Sequence, residues 1–418
     1  MTISNVLRRG ALLLLALSSS VQGDESSFDW GGRVTARLTS LSQIPIETGA
    51  KLPHLAYGEV IAGIWAKTKL TPDIETKVHL ITDVRNYKDE STRRNAYRFV
   101  DEIIVQSLYV KVDRLFSDHF SLTVGRQNLL YGSGNVLFES SPLDGVRGYY
   151  FNAVKGSWGF DQFKVDVIGI YNPSEDDFVI NDQHKRLVEN DESGGVVYLT
   201  NKSHPLLPKD LYYVYKHEKT ASGPALDLHT VGFRLQPNVS ENIKANVELA
   251  YQGGDGAGGA NISAWMFDAY AKWTFPTVAS KPELLLGYYF LSGDDPNSRQ
   301  DEGWNPVWAR WPKYNYIGAY NFLPVIARWS NLGMTRLGVT MATPGNTTLT
   351  VTASHLTAPE AGPAGGKTRG ELVSVALDFK VAEQIKGWAG YEWFTPGNYY
   401  PDQHEGAHWA RLEFIYSF

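Results

Sequence analysis

The sequence predicts a transmembrane antiparallel β-barrel, because it combines a predicted export signal, many aromatic residues and long stretches of alternating apolar and polar residues. Aromatic residues make up 13% of the 418 residues, with 23 Tyr and 12 Trp, yet the mean hydropathy is −0.27. This combination is typical of a barrel whose strands face lipid and water alternately and whose aromatic residues lie at the two membrane interfaces.

The first 23 residues are predicted to be a cleaved signal peptide. Arg8 and Arg9 precede a short apolar stretch at 11–17, and the small residue Gly23 ends the segment. An N-terminal membrane-spanning helix is the alternative, but it needs roughly 20 apolar residues, more than this stretch supplies. No linker or composition shift follows, so residues 24–418 are expected to form a single barrel domain.

Eighteen strands are predicted, and the last shows the alternation most clearly. Its two faces are Ala410, Leu412, Phe414, Tyr416, Phe418 and Trp409, Arg411, Glu413, Ser417. The predicted strands are 28–39, 55–70, 73–86, 100–113, 119–128, 144–155, 160–171, 193–202, 209–218, 226–237, 241–252, 262–276, 282–293, 332–342, 346–356, 369–381, 384–395 and 407–418. A water-soluble β-protein with one solvated face is the alternative.

The predicted connections alternate between short turns and long loops, as expected when an even number of strands returns both termini to the periplasm. We expect the long loops 129–143 and 294–331 to fold toward the lumen or to cover its mouth, because long loops without regular structure are usually functional or disordered.

Three segments resemble motifs of the alginate-export (AlgE-like) family of outer-membrane barrels. They are Gly125-Arg126-Gln127 followed by Tyr131-Gly132-Ser133-Gly134; Asp144-Gly145-Val146-Arg147; and Ser292-Gly293-Asp294-Asp295 leading to Trp304-Asn305-Pro306. In that family the second lies on the strand after the first, and the third lies in a long acidic loop. The resemblance implies an eighteen-stranded monomeric barrel that acts as a passive pore, and the family's named member passes an anionic polysaccharide.

With the polar faces turned inward, more bases than acids line the predicted lumen. The predicted substrate path consists of Arg33, Arg37, Arg85, Lys111, Arg126, Arg147, Lys164, Arg234, Lys272, Arg336, Lys386 and Arg411. A basic ring around a narrow aqueous path selects anions. The alternative is that these charges pair with acids on neighbouring strands and only brace the wall.

Arg126 does not fit the strict alternation, which would turn it toward lipid, where a mid-depth arginine costs about 2–4 kcal/mol. We predict that Gly125 marks a β-bulge that turns Arg126 inward; a position at the membrane interface is the alternative.

Other functions receive less support from the sequence. A net charge of −6 does not indicate a nucleic-acid partner. The absence of cysteine excludes cysteine-based metal sites. His404-Glu405-Gly406-Ala407-His408 matches a zinc-protease pattern that requires a helix, but the segment is predicted to enter a strand. We therefore predict neither a cofactor nor a metal, and no enzymatic activity.

The predicted location is the outer membrane of a Gram-negative bacterium, after export through the periplasm. Expected partners are outer-membrane lipid and lipopolysaccharide, the barrel-assembly machinery through the terminal Phe418, and a small or polymeric anionic solute. The barrel is expected to be a monomer. A neutral-sugar or general-diffusion porin and an outer-membrane barrel enzyme are the alternative functions.

Overall fold

The structure is a computed structural model. It describes residues 27–45, 54–87, 97–98, 102–139, 146, 148, 150–180, 188–203, 209–220, 223–309, 313–317, 330–401 and 406–418. The predicted signal peptide and Arg147 therefore lie outside the described residues. No helix within these ranges is both long and apolar enough to cross a membrane.

The described residues form twenty strand segments in one sheet. They are β1 (Phe28–Ser42), β2 (Leu55–Thr71), β3 (Ile74–Tyr87), β4 (Tyr97–Arg98), β5 (Ile104–Asp113), β6 (Phe120–Gln127), β7 (Phe151–Gly159), β8 (Phe163–Asn172), β9 (Glu192–Asn201), β10 (Asp210–Glu218), β11 (Leu226–Leu235), β12 (Asn238–Ser240), β13 (Ile243–Asp255), β14 (Asn261–Thr274), β15 (Glu283–Leu291), β16 (Leu332–Thr343), β17 (Thr347–Thr357), β18 (Thr368–Lys380), β19 (Ile385–Pro396) and β20 (Ala407–Ser417).

Two of these segments are short continuations of a neighbouring strand. β4 and β5 pair with successive parts of β3. β12 and β11 likewise pair with successive parts of β13. The wall described here therefore has eighteen strands, each antiparallel to its neighbours, which confirms the predicted number.

The first and last strands close the barrel. β1 pairs with β20 from Arg33 opposite Ser417 to Ser42 opposite His408. The backbone N–H groups of Gly32 and Phe418 each donate to the other residue's carbonyl, at 3.0 and 3.1 Å. Closure leaves no unpaired edge strand in the described sheet, as a strand protein in lipid requires.

The predicted alternation is confirmed on the strands themselves. On β20, Leu412, Phe414 and Tyr416 are 36–39% exposed on the outer face, whereas Trp409 and Arg411 are at most 3% exposed on the inner face. Trp265 and Trp273 face outward near opposite ends of β14. Such aromatic residues mark the two membrane interfaces.

The connections also follow the predicted asymmetry. At the end of the barrel where β1 begins and β20 ends, strands are joined by short segments such as 72–73, 160–162 and 344–346. At the other end the connections include 128–150, 173–191 and 292–331. The short turns are on the periplasmic side and the long loops on the extracellular side.

The strand predicted at 144–155 is wrong at its start, because β7 begins only at Phe151. Val146 and Tyr150 lie before the strand, and the Tyr150 hydroxyl donates to the Val146 carbonyl. Both side chains pack in a buried apolar cluster with Ile61 and Ile81. Tertiary packing therefore holds Val146 and Tyr150 outside the strand, although the sequence continues the alternation.

Candidate functional site

Two extracellular loops fold into the barrel and contact each other there. Leu137, from the loop after β6, pairs with Trp308, from the loop after β15, in an isolated parallel bridge. The backbone N–H of Trp308 donates to the Val136 carbonyl at 3.1 Å, and the N–H of Phe138 donates to the Trp308 carbonyl at 3.2 Å. For the described residues of 129–143 and 294–331, the prediction that both loops fold toward the lumen is confirmed.

Buried carboxylates on the inner wall hold the first loop. The Tyr131 hydroxyl donates to Asp166 at 2.9 Å. The side-chain amide of Asn135 donates to Glu248 at 3.0 Å and to Asp268 at 3.3 Å. Burial and the nearby Asp166 carboxylate raise the pKa of Tyr131, so its hydroxyl remains a hydrogen-bond donor.

The second loop uses carboxylates in the same way. The Trp308 indole N–H donates to Glu192 at 2.9 Å. Tyr314 donates to Asp268 at 2.7 Å, and the backbone N–H groups of Tyr316 and Ile317 donate to Glu392 at 2.9 and 2.7 Å.

We call the five acceptors, Asp166, Glu192, Glu248, Asp268 and Glu392, the anchor carboxylates. Each is at most 4% exposed. Hydrogen bonds to charged groups contribute roughly 1.5–3 kcal/mol each, so the loops are fixed to the wall at several points. These five acids of the inner wall are thus occupied by loop contacts.

Most of the predicted lumen cations have an acidic partner. The pairs are Arg37–Glu59, Arg85–Glu59, Lys111–Asp113, Lys164–Asp166, Arg234–Asp210, Lys272–Glu283 and Arg336–Asp268. Arg411 donates to the Thr39 hydroxyl, and Arg33 donates to that of Thr35. Arg33 and Lys386 have no ion-pair partner among the described residues. Bracing of the wall by paired charges therefore accounts for many of these positions.

A row of lysines on the inner wall is less completely paired. We call Lys67, Lys77, Lys111, Lys155 and Lys164, from β2, β3, β5, β7 and β8, the lysine strip. Lys67 lies directly opposite Lys77, and Lys111 and Lys155 lie on either side of Thr123 in one cross-strand row. Within the described part of the chain, Lys77 and Lys155 have no ion-pair partner.

Comparison with known proteins assigns this loop-lined barrel to a family. The sequence matches the alginate export family over residues 64–408, which is most of the chain. The chain belongs to the alginate export family. No curated protein matches the sequence.

Solved structures show the same fold in other outer-membrane proteins. OccAB4 of Acinetobacter baumannii superposes with a TM-score of 0.61 at 13% sequence identity, covering 95% of this chain and 99% of that one. OpdK of Pseudomonas aeruginosa gives a TM-score of 0.55 at 11% identity, covering 93% and 98%, and was also solved with vanillate. The alginate export family barrel described here is accordingly a bacterial outer-membrane β-barrel channel.

The family motif around Gly125 places Arg126 in a buried ion pair. The Arg126 guanidinium donates to both oxygens of Asp176, at 2.9 and 2.5 Å, and lies over the rings of Tyr150 and Phe178. Its side chain is 1% exposed. Arg126 therefore braces the loop after β8 and faces neither lipid nor the water-filled path.

The predicted bulge at Gly125 is wrong. Gly125 pairs in continuous register with Tyr109 on one side and with Ala153 on the other. Its φ is +121°, and a Cβ there would lie 2.3 Å from the Leu108 carbonyl oxygen. The alternation breaks at Arg126, directly after a glycine whose positive φ other residues rarely adopt. The strand contains no extra residue at this point.

Sequence reasoning did not identify Lys155 or Lys313 as lumen cations. Lys155 was overlooked as a lumen residue because the predicted strand ended there, whereas β7 continues to Gly159. Lys313 lies in a loop, and its ammonium contacts Asp268 at 2.7 Å and the Asn135 side-chain oxygen at 3.0 Å. No local signal could have identified Lys313, because both contacts are distant in sequence.

Proposed function

We propose that the barrel is a passive channel that prefers anionic solutes. The proposal rests on one observation, a difference in pairing between acidic and basic residues of the inner wall. Buried loop contacts occupy the anchor carboxylates, whereas Lys77 and Lys155 have no acidic partner among the described residues. The positive charges of Lys77 and Lys155 are therefore left to face a passing ion.

The arrangement of the lysine strip supports a functional role. Like charges directly opposite each other on neighbouring strands are destabilising, and Lys67 faces Lys77 in this way. Outward-facing Val110 and Val154, 41% and 50% exposed, flank Lys111 and Lys155, so these lysines point into the lumen. Adjacent strands lie about 5 Å apart, less than the Debye length of about 8 Å at physiological salt, so charges on neighbouring strands can act together.

The inserted loops set the size of the path. Because they are bound to several wall carboxylates and to each other, we propose that they form a fixed constriction through which the solute diffuses. The proposal covers small anions and anionic chains that pass in extended form. No moving part or energy source is required.

Substitution of the unpaired lysines tests the proposal. The double variant Lys77→Gln/Lys155→Gln should shift the reversal potential in a salt gradient toward cation preference while single-channel conductance stays similar. Lys281→Gln, in an exposed periplasmic turn, is the matched control and should leave the reversal potential unchanged. An unchanged reversal potential in the double variant would contradict the assignment of selectivity to these lysines.

We further propose that residues 1–23 are removed as a signal peptide and that residues 24–418 form the whole barrel domain, which acts as a monomer. Its proposed partners are outer-membrane lipid, lipopolysaccharide and the barrel-assembly machinery. The outward aromatic face of β20, which includes Phe414 and Tyr416, supports the contact with lipid.

A further inference from the structure

An apolar groove lies on the outer surface of the barrel, across the seam where β20 meets β1. We call it the seam groove. It has a volume of about 340 Å³ and spans the neighbouring strands β20, β1, β2 and β3. Its apolar lining consists of Ala36, Leu38, Val60, Val84, Leu412 and Phe414. The side chains of Arg37 and Glu59 pair inside the barrel, so these two residues contribute backbone to the base of the groove.

Two small residues form the floor of the seam groove. Ala36 lies between Phe414 and Val60 in one cross-strand row. Gly58 lies beside Leu38 in the next row on the outer face. A Cβ at Gly58 would come no closer than 3.6 Å to the atoms around it, which is an ordinary contact distance. The space above Gly58 is therefore open, and a larger side chain at this position would fill the groove.

The seam groove lies in the extracellular half of the membrane. Trp30, near the start of β1, is exposed at the periplasmic interface. Leu38 is eight residues further along β1. This distance is a rise of about 20 Å for a strand with about 3.3 Å per residue and a tilt of about 40°, and the apolar band of such a barrel is about 25 Å tall. The groove is therefore continuous with the surface that faces the lipid of the outer leaflet.

Polar groups lie at the extracellular end of the seam groove. Ser40 follows Leu38 on the outer face of β1, and its hydroxyl lies 3.4 Å from Nε2 of the exposed His54. Asn86 is exposed at the edge of the groove, and its side chain makes no hydrogen bond with any described residue. A polar group without a partner is costly in an apolar environment. The ester and phosphate oxygens of a lipid head group can accept hydrogen bonds from such side chains.

The size of the seam groove fits part of an acyl chain. An apolar cavity of about 150 Å³ holds one benzene molecule, so the volume of about 340 Å³ accommodates roughly a dozen carbon atoms. A chain that enters the groove leaves other lipid chains and not water, so the hydrophobic effect contributes little. The attraction comes from close packing, because dispersion increases with the number of atoms at contact distance.

We infer that the seam groove binds one acyl chain of lipopolysaccharide. The chain packs over Ala36 and Gly58, and the head-group oxygens above it accept hydrogen bonds from Ser40 and Asn86. The bound chain contacts β20 and β1 together and so stabilises the closed seam. The inference rests on lipopolysaccharide as a partner in the proposed function, and it requires no particular ion selectivity.

Native mass spectrometry of barrels purified from outer membranes in mild detergent tests the inference. The mass of the retained molecule distinguishes lipopolysaccharide from a phospholipid and from a second copy of the chain. The unmodified barrel should retain one lipopolysaccharide molecule. Gly58→Val, which fills the groove, should lower the retained fraction about fivefold or more. Gly169→Val is the matched control and should retain the lipid, because Gly169 also faces outward and has open space beside it.

A second pair of variants removes contacts without adding volume. Leu38→Ala shortens one wall of the groove and should also lower the retained fraction. Leu337→Ala, on the outer face of β16, is the control, because Leu337 is exposed to a similar extent. Added lipopolysaccharide should raise the temperature of heat modification of the unmodified barrel and of both controls more than that of Gly58→Val or Leu38→Ala.

The outcomes separate this inference from the proposed function. Equal retention of lipopolysaccharide by Gly58→Val, Leu38→Ala and their controls would overturn the inference. Retention of a phospholipid instead, or of a second copy of the chain that Gly58→Val loses, would also overturn it, because another partner would then occupy the groove. The proposed anion preference is measured separately as a reversal potential, which should be the same in Gly58→Val and in the unmodified channel.

Discussion

Trp308, in the loop after β15, donates its indole N–H to Glu192 on β9 at 2.9 Å, joining residues 116 positions apart in the sequence. Lys216 contacts the same carboxylate at 2.8 Å and the Val307 carbonyl at 3.2 Å. Trp308 is fully buried and also pairs with Leu137 of the other inserted loop. It therefore links both loops to the wall.

The first prediction concerns this contact. Trp308→Phe keeps the aromatic ring but removes the donor, which takes one hydrogen bond from the Glu192 carboxylate and loosens the loop. Single-channel recordings should show a higher mean conductance and more frequent transitions between levels. Trp265→Phe on the outer face is the control. Recordings identical to those of the unmodified channel would show that the contact does not fix the constriction.

The second prediction concerns the loops themselves. Deleting 129–143 or 294–331 should raise single-channel conductance, because the described residues of both segments occupy space inside the barrel. Shortening the loop 358–367, between β17 and β18, is a control for extracellular deletions in general. If neither deletion changes conductance, the inserted loops lie outside the path.

The third prediction concerns the Arg126–Asp176 pair. Removing one partner of a buried ion pair typically costs about 3–5 kcal/mol, because the other charge is left unpaired. Arg126→Gln and Asp176→Asn should each lower the midpoint of thermal or urea unfolding. Arg126→Met/Asp176→Leu should recover much of the loss, since it leaves no buried charge.

A surface pair provides the comparison for this experiment. The exposed His355–Glu371 pair should contribute little, as exposed ion pairs do. A midpoint change for Arg126→Gln no larger than that for Glu371→Gln would contradict the bracing role of Arg126.

The fourth prediction concerns closure of the barrel. Besides its backbone bonds to Gly32, Phe418 has its ring 2.2 Å from the position that a Gly32 Cβ would occupy. Deletion of Phe418 should lower the amount of heat-modifiable protein in outer membranes, and Gly32→Leu should do the same through a steric clash. Phe418→Tyr is the conservative control. Normal assembly without Phe418 would contradict its role as the terminal signal.

Much of the fold could be predicted from the sequence because successive residues of a barrel strand face lipid and the barrel interior alternately. On β13, Val247 and Leu249 face outward, while Glu248 and Gln252 are buried inside at 2% and 0% exposure. This contrast appears in consecutive residues and needs no tertiary information. The strand number, the closing strand and the long loops followed from it.

The candidate site was less predictable because its contacts join distant parts of the chain. Asn135 reaches Asp268 across 133 positions, and nothing near either residue indicates the other. The sequence could place Asp268 and Arg336 on inward faces. It could not show that loop residues would contact Asp268. The late start of β7 was missed for the same reason, since the packing of Tyr150 depends on Ile61 and Ile81.

The sign of the reversal potential of the unmodified channel in a potassium chloride gradient tests the central claim most directly. Potassium and chloride diffuse at similar rates in water, so the sign reports the charge of the pore. The lysine strip and the occupied anchor carboxylates predict a reversal potential displaced toward the chloride equilibrium potential, and a smaller displacement at high salt. A displacement toward the potassium equilibrium potential would contradict the account.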